Sequence, residues 1–496
     1  MPVINTNLSA LIAQNAARAS EIQSAQSMER LSTGQRINSA QDDAAGLAIA
    51  TRMTSAIRGL GVSLKNAGDG ISMAQTAEGA LGNITDVLQR LRELAIQSAN
   101  GSNSNTERSF LDSEASGLVA EVARIGAQTN YNNSKLLNGS FTAKTFQLGY
   151  LATDTMVFTG IEDSQASALG NYKLVMDGTG LGALVAASST ANANTVSSAS
   201  TSTLTTSSGG TTSAISITAA DSAKQVATKI NSAANAIGIN AVATNAATLS
   251  GVTATGTINF TLSGTASVSL SASITNSNDL TSLAAAINGT SNTTGITASF
   301  ANPDVKSSIQ LTSNDGSDIK ISNYVHSANA STTFGEGPSD LGGGTGATTT
   351  LTNANHSSVK SGIVTLTSTK GAITTSSGNT TIFTTATQSS IFANVQSISI
   401  ATQSGASDAL SVIDSALAQI NNSRANLGAL VNRFEASISS QSNSIMNLSA
   451  SRSRILDADY AKETSMLAKS MIIQQAATAM LGQANQTPRL VLHLLK

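Results

Sequence analysis

The sequence predicts a multidomain α+β protein, in which N- and C-terminal segments pair as an α-helical coiled-coil or bundle core around a β-rich central insert. Apolar residues recur at heptad spacing in both flanks of the chain, which indicates long helices packed along a seam. Short stretches of the middle alternate apolar and polar residues, which is typical of strands. The charged residues are concentrated in the two flanks, and residues 181–300 of the middle hold only four of them.

The first long helix of the core is predicted over residues 57–98. Its apolar or small residues recur at intervals of three and four, which defines a heptad seam. The seam positions are Ile57, Leu60, Leu64, Ala67, Ile71, Ala74, Ala77, Leu81, Ile84, Leu88, Leu91, Ala95 and Ser98. Asn100 and Gly101 then predict the end of the helix. A second helix is predicted over residues 107–128.

The C-terminal flank carries an even more regular seam over residues 406–455. Its apolar stripe is interrupted only by Arg424, Gln441 and Arg452. A stripe of this length needs a partner, because an isolated amphipathic helix cannot bury it. We expect the N-terminal seam to be that partner, so that the flanks lie together and the middle loops out. The alternative is a pair of independent homodimeric coiled coils.

The two extreme ends of the chain are amphipathic and have few neighbours to cover them. Their apolar residues are Leu8, Leu11, Ile12, Ile22, Met28 and Leu31 at one end, and Met466, Leu467, Ile473, Ala477, Met480 and Leu481 at the other. Exposed apolar stripes usually mark association surfaces. Chain ends with uncovered faces are also the usual place for disorder. We therefore expect both ends to become ordered only on assembly.

The middle of the chain is predicted to be β-rich, with alternation over residues 257–262 and 364–367. It also contains an internal repeat at an offset of 57 residues, in which Ile230-Asn231 matches Ile287-Asn288 and Gly238-Ile239 matches Gly295-Ile296. Each copy is predicted to form a strand, a short helix, a loop containing Asn, and a second strand. Two copies are too few for a solenoid, and indicate an accessory module that arose by duplication.

The composition excludes several classes of function. With 27 Lys and Arg against 29 Asp and Glu, the chain has no basic surface to indicate nucleic-acid binding. The absence of Cys excludes disulfides, thiolate chemistry and Cys-ligated zinc. No apolar run is long enough for a membrane span, and no cleaved leader is recognisable. We therefore expect either a cytosolic protein or one exported without a cleaved leader.

A search for catalytic or cofactor chemistry finds no convincing pattern. The three His residues form no metal-ligand pair, and no Ser lies in a G-x-S-x-G turn. Asp42-Asp43 precedes a helical run, where carboxylates complement the helix dipole, so a metal site there is the less favoured interpretation. We expect neither an enzyme nor a bound cofactor.

Both ends of the chain resemble bacterial flagellins. At the N-terminal end the resemblance rests on the motifs Leu31-Ser32-Thr33-Gly34-Gln35-Arg36-Ile37-Asn38-Ser39-Ala40 and Asp42-Asp43-Ala44-Ala45-Gly46-Leu47-Ala48-Ile49-Ala50. At the C-terminal end it rests on Ser453-Arg454-Ile455-Leu456-Asp457-Ala458-Asp459-Tyr460-Ala461 and Met480-Leu481-Gly482-Gln483-Ala484-Asn485-Gln486. It covers residues 1–150 and 405–490, and the middle carries no comparable signature.

The resemblance implies a structural subunit of the extracellular flagellar filament, which serves swimming motility. Residues 1–44 and 456–496 would pair as the terminal coiled-coil polymerisation domain, disordered in the free monomer. Residues 45–175 and 405–455 would form the helical core domain with a β-hairpin region, and residues 176–404 the Ser/Thr-rich part that projects outward. The implied partners are further copies of the chain, the filament cap protein, the hook–filament junction proteins and a secretion chaperone. Neither nucleic acid nor membrane is implied. Export would proceed in an unfolded state through the flagellar type III channel.

The resemblance also implies a recognition site for host Toll-like receptor 5, on a surface that packs between subunits in the filament. The matching residues are Gln89, Arg90, Glu93, Leu94 and Glu114. The alternative interpretation is an ordinary helix surface with ion pairs between residues three apart, such as Arg90 and Glu93.

Other functions remain open at this point. A hook–filament junction protein has the same terminal pattern, whereas a surface adhesin or S-layer protein explains only the Ser/Thr-rich middle. The density of Ser and Thr in that middle, together with family habit, predicts O-glycosylation.

Overall fold

The computed structural model describes residues 6–141, 143–159, 161–176, 178, 180–190, 196, 200–207, 211–212, 214–300, 305–337, 346–376, 382–383 and 388–494. The chain divides into two compact units. Unit 1 comprises Met1–Ala74, Ala143–Thr159 and Gly428–Lys496, and unit 2 comprises Gln75–Thr142 and Gly160–Leu427.

The described residues contain eight α-helices and nineteen strands. The helices are α1 (Leu8–Thr33), α2 (Ala44–Ala99), α3 (Asn105–Gln128), α4 (Ala223–Ala234), α5 (Thr281–Asn288), α6 (Ser291–Thr294), α7 (Gln403–Leu456) and α8 (Tyr460–Leu494). The strands are β1 (Asn130–Tyr131), β2 (Ser134–Lys135), β3 (Lys144–Gln147), β4 (Thr155–Phe158), β5 (Gly170–Met176), β6 (Ser200–Thr206), β7 (Ile215–Ile217), β8 (Ile239–Ser250), β9 (Gly256–Ser263), β10 (Ser267–Ile274), β11 (Ile296–Ser299), β12 (Ser308–Ser313), β13 (Ile319–His326), β14 (Thr332–Glu336), β15 (Thr348–Leu351), β16 (Ser358–Lys360), β17 (Ile363–Ser368), β18 (Ile373–Ser376) and β19 (Ile391–Asn394).

The long helices of the core follow the heptad prediction, with one difference at the start of α2. The helix begins at Ala44 and not at Ile57. It begins early because the Asp43 carboxylate accepts a hydrogen bond from the backbone N–H of Gly46 at 2.9 Å, which caps the first turn. At its other end α2 stops at Ala99, as the Asn-Gly pair predicts.

A buried arginine completes the junction between α2 and α3. The Arg108 guanidinium donates to the carbonyl oxygens of Ser98, Asn100 and Asn103 at 2.7–2.9 Å. The last carbonyls of a helix have no partner within it, so the bond to Ser98 satisfies the end of α2, and the other two bonds hold the loop that follows. A capping box between Ser104 and Glu107 then starts α3.

In unit 1, α2 and α7 pack antiparallel within the same chain. Ser63 contacts Gln441 and Thr54 contacts Arg452, so that residue numbers rise along one helix as they fall along the other. Phe434 lies on this seam with its ring 5.5 Å from that of Phe146 in β3. The intrachain partner expected from the sequence is therefore present in this unit.

Unit 2 contains helices and antiparallel sheets. The largest sheet has the order β11-β12-β8-β17-β5-β19, and β14 pairs with both β8 and β15. A second sheet has the order β10-β9-β13-β16, and a third has the order β18-β6-β7. Among the described residues, the sheets of this unit pack around two hydrophobic clusters, one around Phe260 and Phe334 and the other around Val226 and Leu366. The α+β fold class predicted from the sequence is confirmed.

The duplicated module has the predicted element order. In the first copy β7, α4 and β8 follow one another, and in the second copy β10, α5 and β11 do so. The matched Asn residues have identical bonds: Asn231 bridges both backbone groups of Ala241, and Asn288 bridges both those of Ala298, at 2.7–2.8 Å. Each Asn therefore ties its helix to the strand that follows, which explains why both copies carry it.

Candidate assembly and receptor surfaces

The terminal helices α1 and α8 pack against each other through small side chains. The buried residues with small side chains are Ala13, Ser20, Ser24 and Ser27 of α1 and Ser470, Ala477 and Ala484 of α8, and Glu463 of α8 is buried with them. Small residues let two helix backbones approach closely. The large apolar side chains of both helices are not fully buried in this contact: they are exposed or half-buried.

Three hydrogen bonds set the alignment of α1 and α8. Ser20 Oγ donates to the Ser470 carbonyl at 2.6 Å, and Asn7 Nδ2 donates to the Ala484 carbonyl at 2.7 Å. Arg30 Nη1 lies 3.1 Å from Glu463 Oε1, and the Glu463 side chain is only 7% exposed. These contacts run antiparallel along the two helices and give them a single register.

The apolar residues of the terminal helices lie mostly in solvent. Leu8, Ile22 and Met480 are 63–67% exposed, Leu11 is 50% exposed and Ile473 is 40% exposed. Leu31, Met466 and Leu481 are half-buried. Ile12, Ala16, Ile473 and Met480 line an open groove between the helices. Sequence reasoning missed Met471 and Ile472 of α8, which are also exposed.

Short loops next to the terminal helices are fastened together by backbone bonds. The Arg36 N–H donates to the Leu456 carbonyl at 2.5 Å, and the Ala458 N–H donates to the Gly34 carbonyl at 3.0 Å. Gly34 adopts a left-handed conformation, with φ of +69°, which ends α1 and turns the chain toward this contact.

The paired carboxylates at these loops act as caps. Asp42 accepts from the backbone N–H groups of Ser39 and Asn38, and these bonds lower the pKa of its carboxyl below the usual value. Asp459 accepts from the backbone N–H groups of Ala461 and Lys462 at the start of α8. Asp42 and Asp459 therefore both accept hydrogen bonds from backbone N–H groups, and these bonds explain why carboxylates stand at the two positions.

The surface predicted for receptor recognition is built around Arg90 in unit 2. Arg90 donates from Nη1 to Glu93 at 2.9 Å and from Nη2 to Glu114 on α3, also at 2.9 Å. The hydrogen bond to Glu93, followed by that to Glu114, raises the pKa of the guanidinium. Gln89 is exposed beside them. This ion-pair cluster is open to solvent, so it holds side chains in place and contributes little to stability.

Leu94 differs from the other residues that the resemblance assigns to this surface. Its side chain is 1% exposed, because it lies three residues after the buried seam position Leu91 on the same helix face. It therefore belongs to the core beneath the cluster and has no surface for direct contact. Two apolar residues that sequence reasoning missed, Ile96 and Phe110, are 49% and 70% exposed in the same unit.

The described residues were also compared with the patterns expected of metal sites, membrane spans and catalytic histidines. Within the ranges that the structure covers, no three His, Asp or Glu residues are grouped as metal ligands. Among the same residues, no helix combines the length and the apolar character needed to cross a bilayer. His326 is buried, and its Nδ1 accepts from the backbone N–H of Ala328, which is a structural role.

Comparisons with known proteins agree with the two helical flanks. Residues 4–142 match the model of the bacterial flagellin N-terminal helical region, and residues 410–495 match that of the C-terminal helical region. The chain is 39% identical to B-type flagellin of Pseudomonas aeruginosa and 32% identical to Flagellin B of Vibrio cholerae, and each alignment covers 99% of both chains. A flagellar junction protein from Legionella pneumophila is a distant likeness, with 13% identity, a TM-score of 0.34 and coverage of 83% of this chain and 100% of that chain.

The family is a family of structural proteins and not of enzymes, and its members polymerise. With relatives of this identity along nearly its whole length, the chain belongs to the bacterial flagellin family and is a structural subunit of the flagellar filament.

Proposed function

We propose that α1 and α8 are the polymerisation segments of this filament subunit. The observation that carries the proposal is the exposure of large apolar side chains on both helices, including Leu8, Ile22 and Met480, while small residues occupy the contact between them. Exposed apolar surface of this extent is costly in water, and burial against neighbouring copies removes that cost. Leu11, Leu31, Met466, Ile473 and Leu481 extend the same surface.

We divide the chain into three regions with different roles in the filament. Residues 1–44 and 456–496 form the polymerisation domain, which is disordered in the free monomer and becomes ordered in the filament. Residues 45–175 and 405–455 form the helical core domain with its hairpin. Residues 176–404 form the outward-facing part, whose Ser and Thr residues are candidates for O-glycosylation.

The life cycle that we propose for the subunit is the one that the resemblance to flagellins implies. Before export, a secretion chaperone covers residues 461–495, which prevents premature association. The chain then passes unfolded through the flagellar type III channel to the cell exterior. There the filament cap protein guides its addition to a filament that begins at the hook–filament junction proteins.

We also propose that host Toll-like receptor 5 recognises the cluster of Gln89, Arg90, Glu93 and Glu114. The exposure of these side chains and the fixed geometry of Arg90 between two carboxylates support this assignment. Leu94 contributes from beneath by fixing the backbone of the helix. Because the same surface packs between subunits, the receptor reads the monomer and not the intact filament.

Seeded growth followed by electron microscopy tests the polymerisation proposal. Purified monomer is added to fragments of its own filaments, and long tubes are expected. Ile22→Asp should stop elongation, because it places a charge in the apolar contact. Ile391→Asp is the matched control, since Ile391 is 78% exposed in the outer part and should tolerate the change. Normal elongation of Ile22→Asp would contradict the proposal, and failure of the wild-type chain would favour a junction protein.

A further inference from the structure

A buried polar residue interrupts the apolar seam of α7 in unit 1. Gln441 is 6% exposed and lies one heptad after Phe434. Burial of an amide is unfavourable unless its polar atoms find partners. An apolar residue would continue the seam at this position, so the partners of Gln441 indicate why an amide is present.

The Gln441 amide uses both its donor and its acceptor atoms. Oε1 lies 2.7 Å from the hydroxyl oxygen of Ser63 on α2, and Nε2 donates to Ser437 Oγ at 2.9 Å. Nε2 also donates to the carbonyl oxygen of Leu148, just after β3. A carbonyl can only accept, so this bond fixes the orientation of the amide. One side chain thus links both long helices to the hairpin.

Neighbouring contacts fasten the same stretch of hairpin. Asn66 Nδ2 of α2 donates to the carbonyl oxygen of Gln147 at 3.0 Å. Gly59 makes room for the hairpin, because a Cβ there would lie 2.8 Å from the Cβ of Tyr150. The loop that follows exposes Tyr150 and Leu151, at 54% and 51%. These apolar side chains are therefore presented from a loop whose first residues are tied to the helix pair.

We propose that Gln441 sets the register of α2 against α7 in unit 1 and fixes the hairpin loop to that register, and that filament growth depends on this positioning. A slip of one heptad would move Gln441 by about 10 Å along the seam, away from Ser63 and Leu148, and leave its amide buried without partners. An apolar residue at position 441 would pack against apolar seam residues in either register, so it would not favour one register over the other. Gln441 is thus a positioning residue that acts through the hairpin. The proposal rests on the assignment of the chain as a filament subunit.

The test compares Gln441→Met with Asn443→Met in the full-length chain. Met preserves the length of Gln441 and removes its hydrogen bonds, whereas Asn443 is exposed two residues further along the same helix. Hydrogen exchange of residues 143–159 by mass spectrometry, thermal melting by circular dichroism and seeded elongation are measured on both variants. In Gln441→Met we expect exchange of the hairpin amides about 2- to 10-fold faster, corresponding to one net hydrogen bond. We also expect a melting temperature close to that of the wild type, because Met continues the apolar seam and thereby offsets the lost hydrogen bonds. Elongation should be slower than in Asn443→Met.

Unchanged hairpin exchange in Gln441→Met would overturn the positioning role. Faster exchange with wild-type elongation would overturn its role in growth, and equal loss of elongation in both variants would show that the effect is not specific. If Gln441→Met fails to fold, Gln441→Glu replaces it, because a carboxylate still accepts from Ser63 and cannot donate to Leu148. If wild-type chains do not elongate at all, the filament assignment fails, while the exchange measurement still decides the positioning role.

Discussion

Phe434 gives the sharpest test of how α7 holds the hairpin in unit 1. Its side chain is fully buried, with its ring centroid 5.5 Å from that of Phe146 and 6.5 Å from that of Phe158. Gly70 on α2 makes room for the ring, because a Cβ there would lie 2.5 Å from Cζ of Phe434. Phe434→Ala removes a ring enclosed from three sides, and such truncations cost about 3–5 kcal/mol. We expect the upper half of that range, since a helix seam and a hairpin cannot both collapse into the space.

The matched control is Phe110→Ala, since Phe110 is 70% exposed and its loss should change stability by no more than about 0.5 kcal/mol. Hydrogen exchange of the hairpin peptides, residues 143–159, reports on local opening. Since each 1.4 kcal/mol is a factor of ten, the upper half of that range means that Phe434→Ala should raise the opening equilibrium by about 700- to 4000-fold. Equal exchange in the two variants would refute the packing argument.

Further predictions concern pH, the terminal helices and the receptor surface. Burial lowers the pKa of Lys360 in the folded chain to about 8 from 10.5. Between these two values the unfolded chain keeps the proton that the folded chain has lost. The free energy of unfolding should therefore rise by about 3 kcal/mol from pH 8 to 10.5. Urea unfolding of the wild type and Lys360→Met should show this rise only in the wild type, and equal pH profiles would contradict it. Arg30→Met leaves the buried Glu463 carboxylate unpaired and should destabilise filaments by about 1–3 kcal/mol per subunit, as measured by filament melting. Arg18→Met, at an exposed position of α1, is its control, and equal melting of the two variants would contradict the role of the pair. Arg90→Ala and Glu114→Ala should abolish receptor signalling by the monomer, whereas Arg124→Ala, which removes a similar exposed ion pair, should not. Unchanged signalling would refute the receptor assignment.

The helical core could be predicted from the sequence because its signal is local. Heptad spacing depends on residues three and four apart, and it located α2, α3 and α7 to within a turn except at the start of α2. That start depends on the Asp43 cap, which apolar periodicity does not register.

The sheet order of the outer part could not be predicted, because it depends on distant pairings. Strand β8 pairs with β12, β14 and β17, which lie far along the chain. Alternation indicates that a strand exists and gives no information about its neighbours. In the duplicated module the order of elements along the chain was predicted, and the matched residues Asn231 and Asn288 make matched bonds, but the pairing of its strands was not predicted.

The assembly surface was partly readable from the sequence. Leu8, Ile22 and Met480 are predicted to be uncovered and are exposed in the structure. Pairing of the two ends is implied by the family resemblance, but the small residues that form the contact between α1 and α8 are not evident from the sequence. In the sequence Ser20 and Ser470 cannot be distinguished from exposed polar residues. Only the structure shows that they are buried where α1 meets α8 and joined by a hydrogen bond. The burial of Leu94 could have been foreseen from its spacing to Leu91, and the motif resemblance obscured it.

Assembly as proposed here requires the apolar faces of α1 and α8 to become buried between copies of the chain. Hydroxyl-radical footprinting of monomer and filament measures this directly at Met28, Met480 and Ile391, which are 51%, 63% and 78% exposed in the single chain. We expect strong protection of Met28 and Met480 in the filament, with Ile391 labelled equally in both states. Equal labelling of Met28 and Met480 in monomer and filament would contradict it.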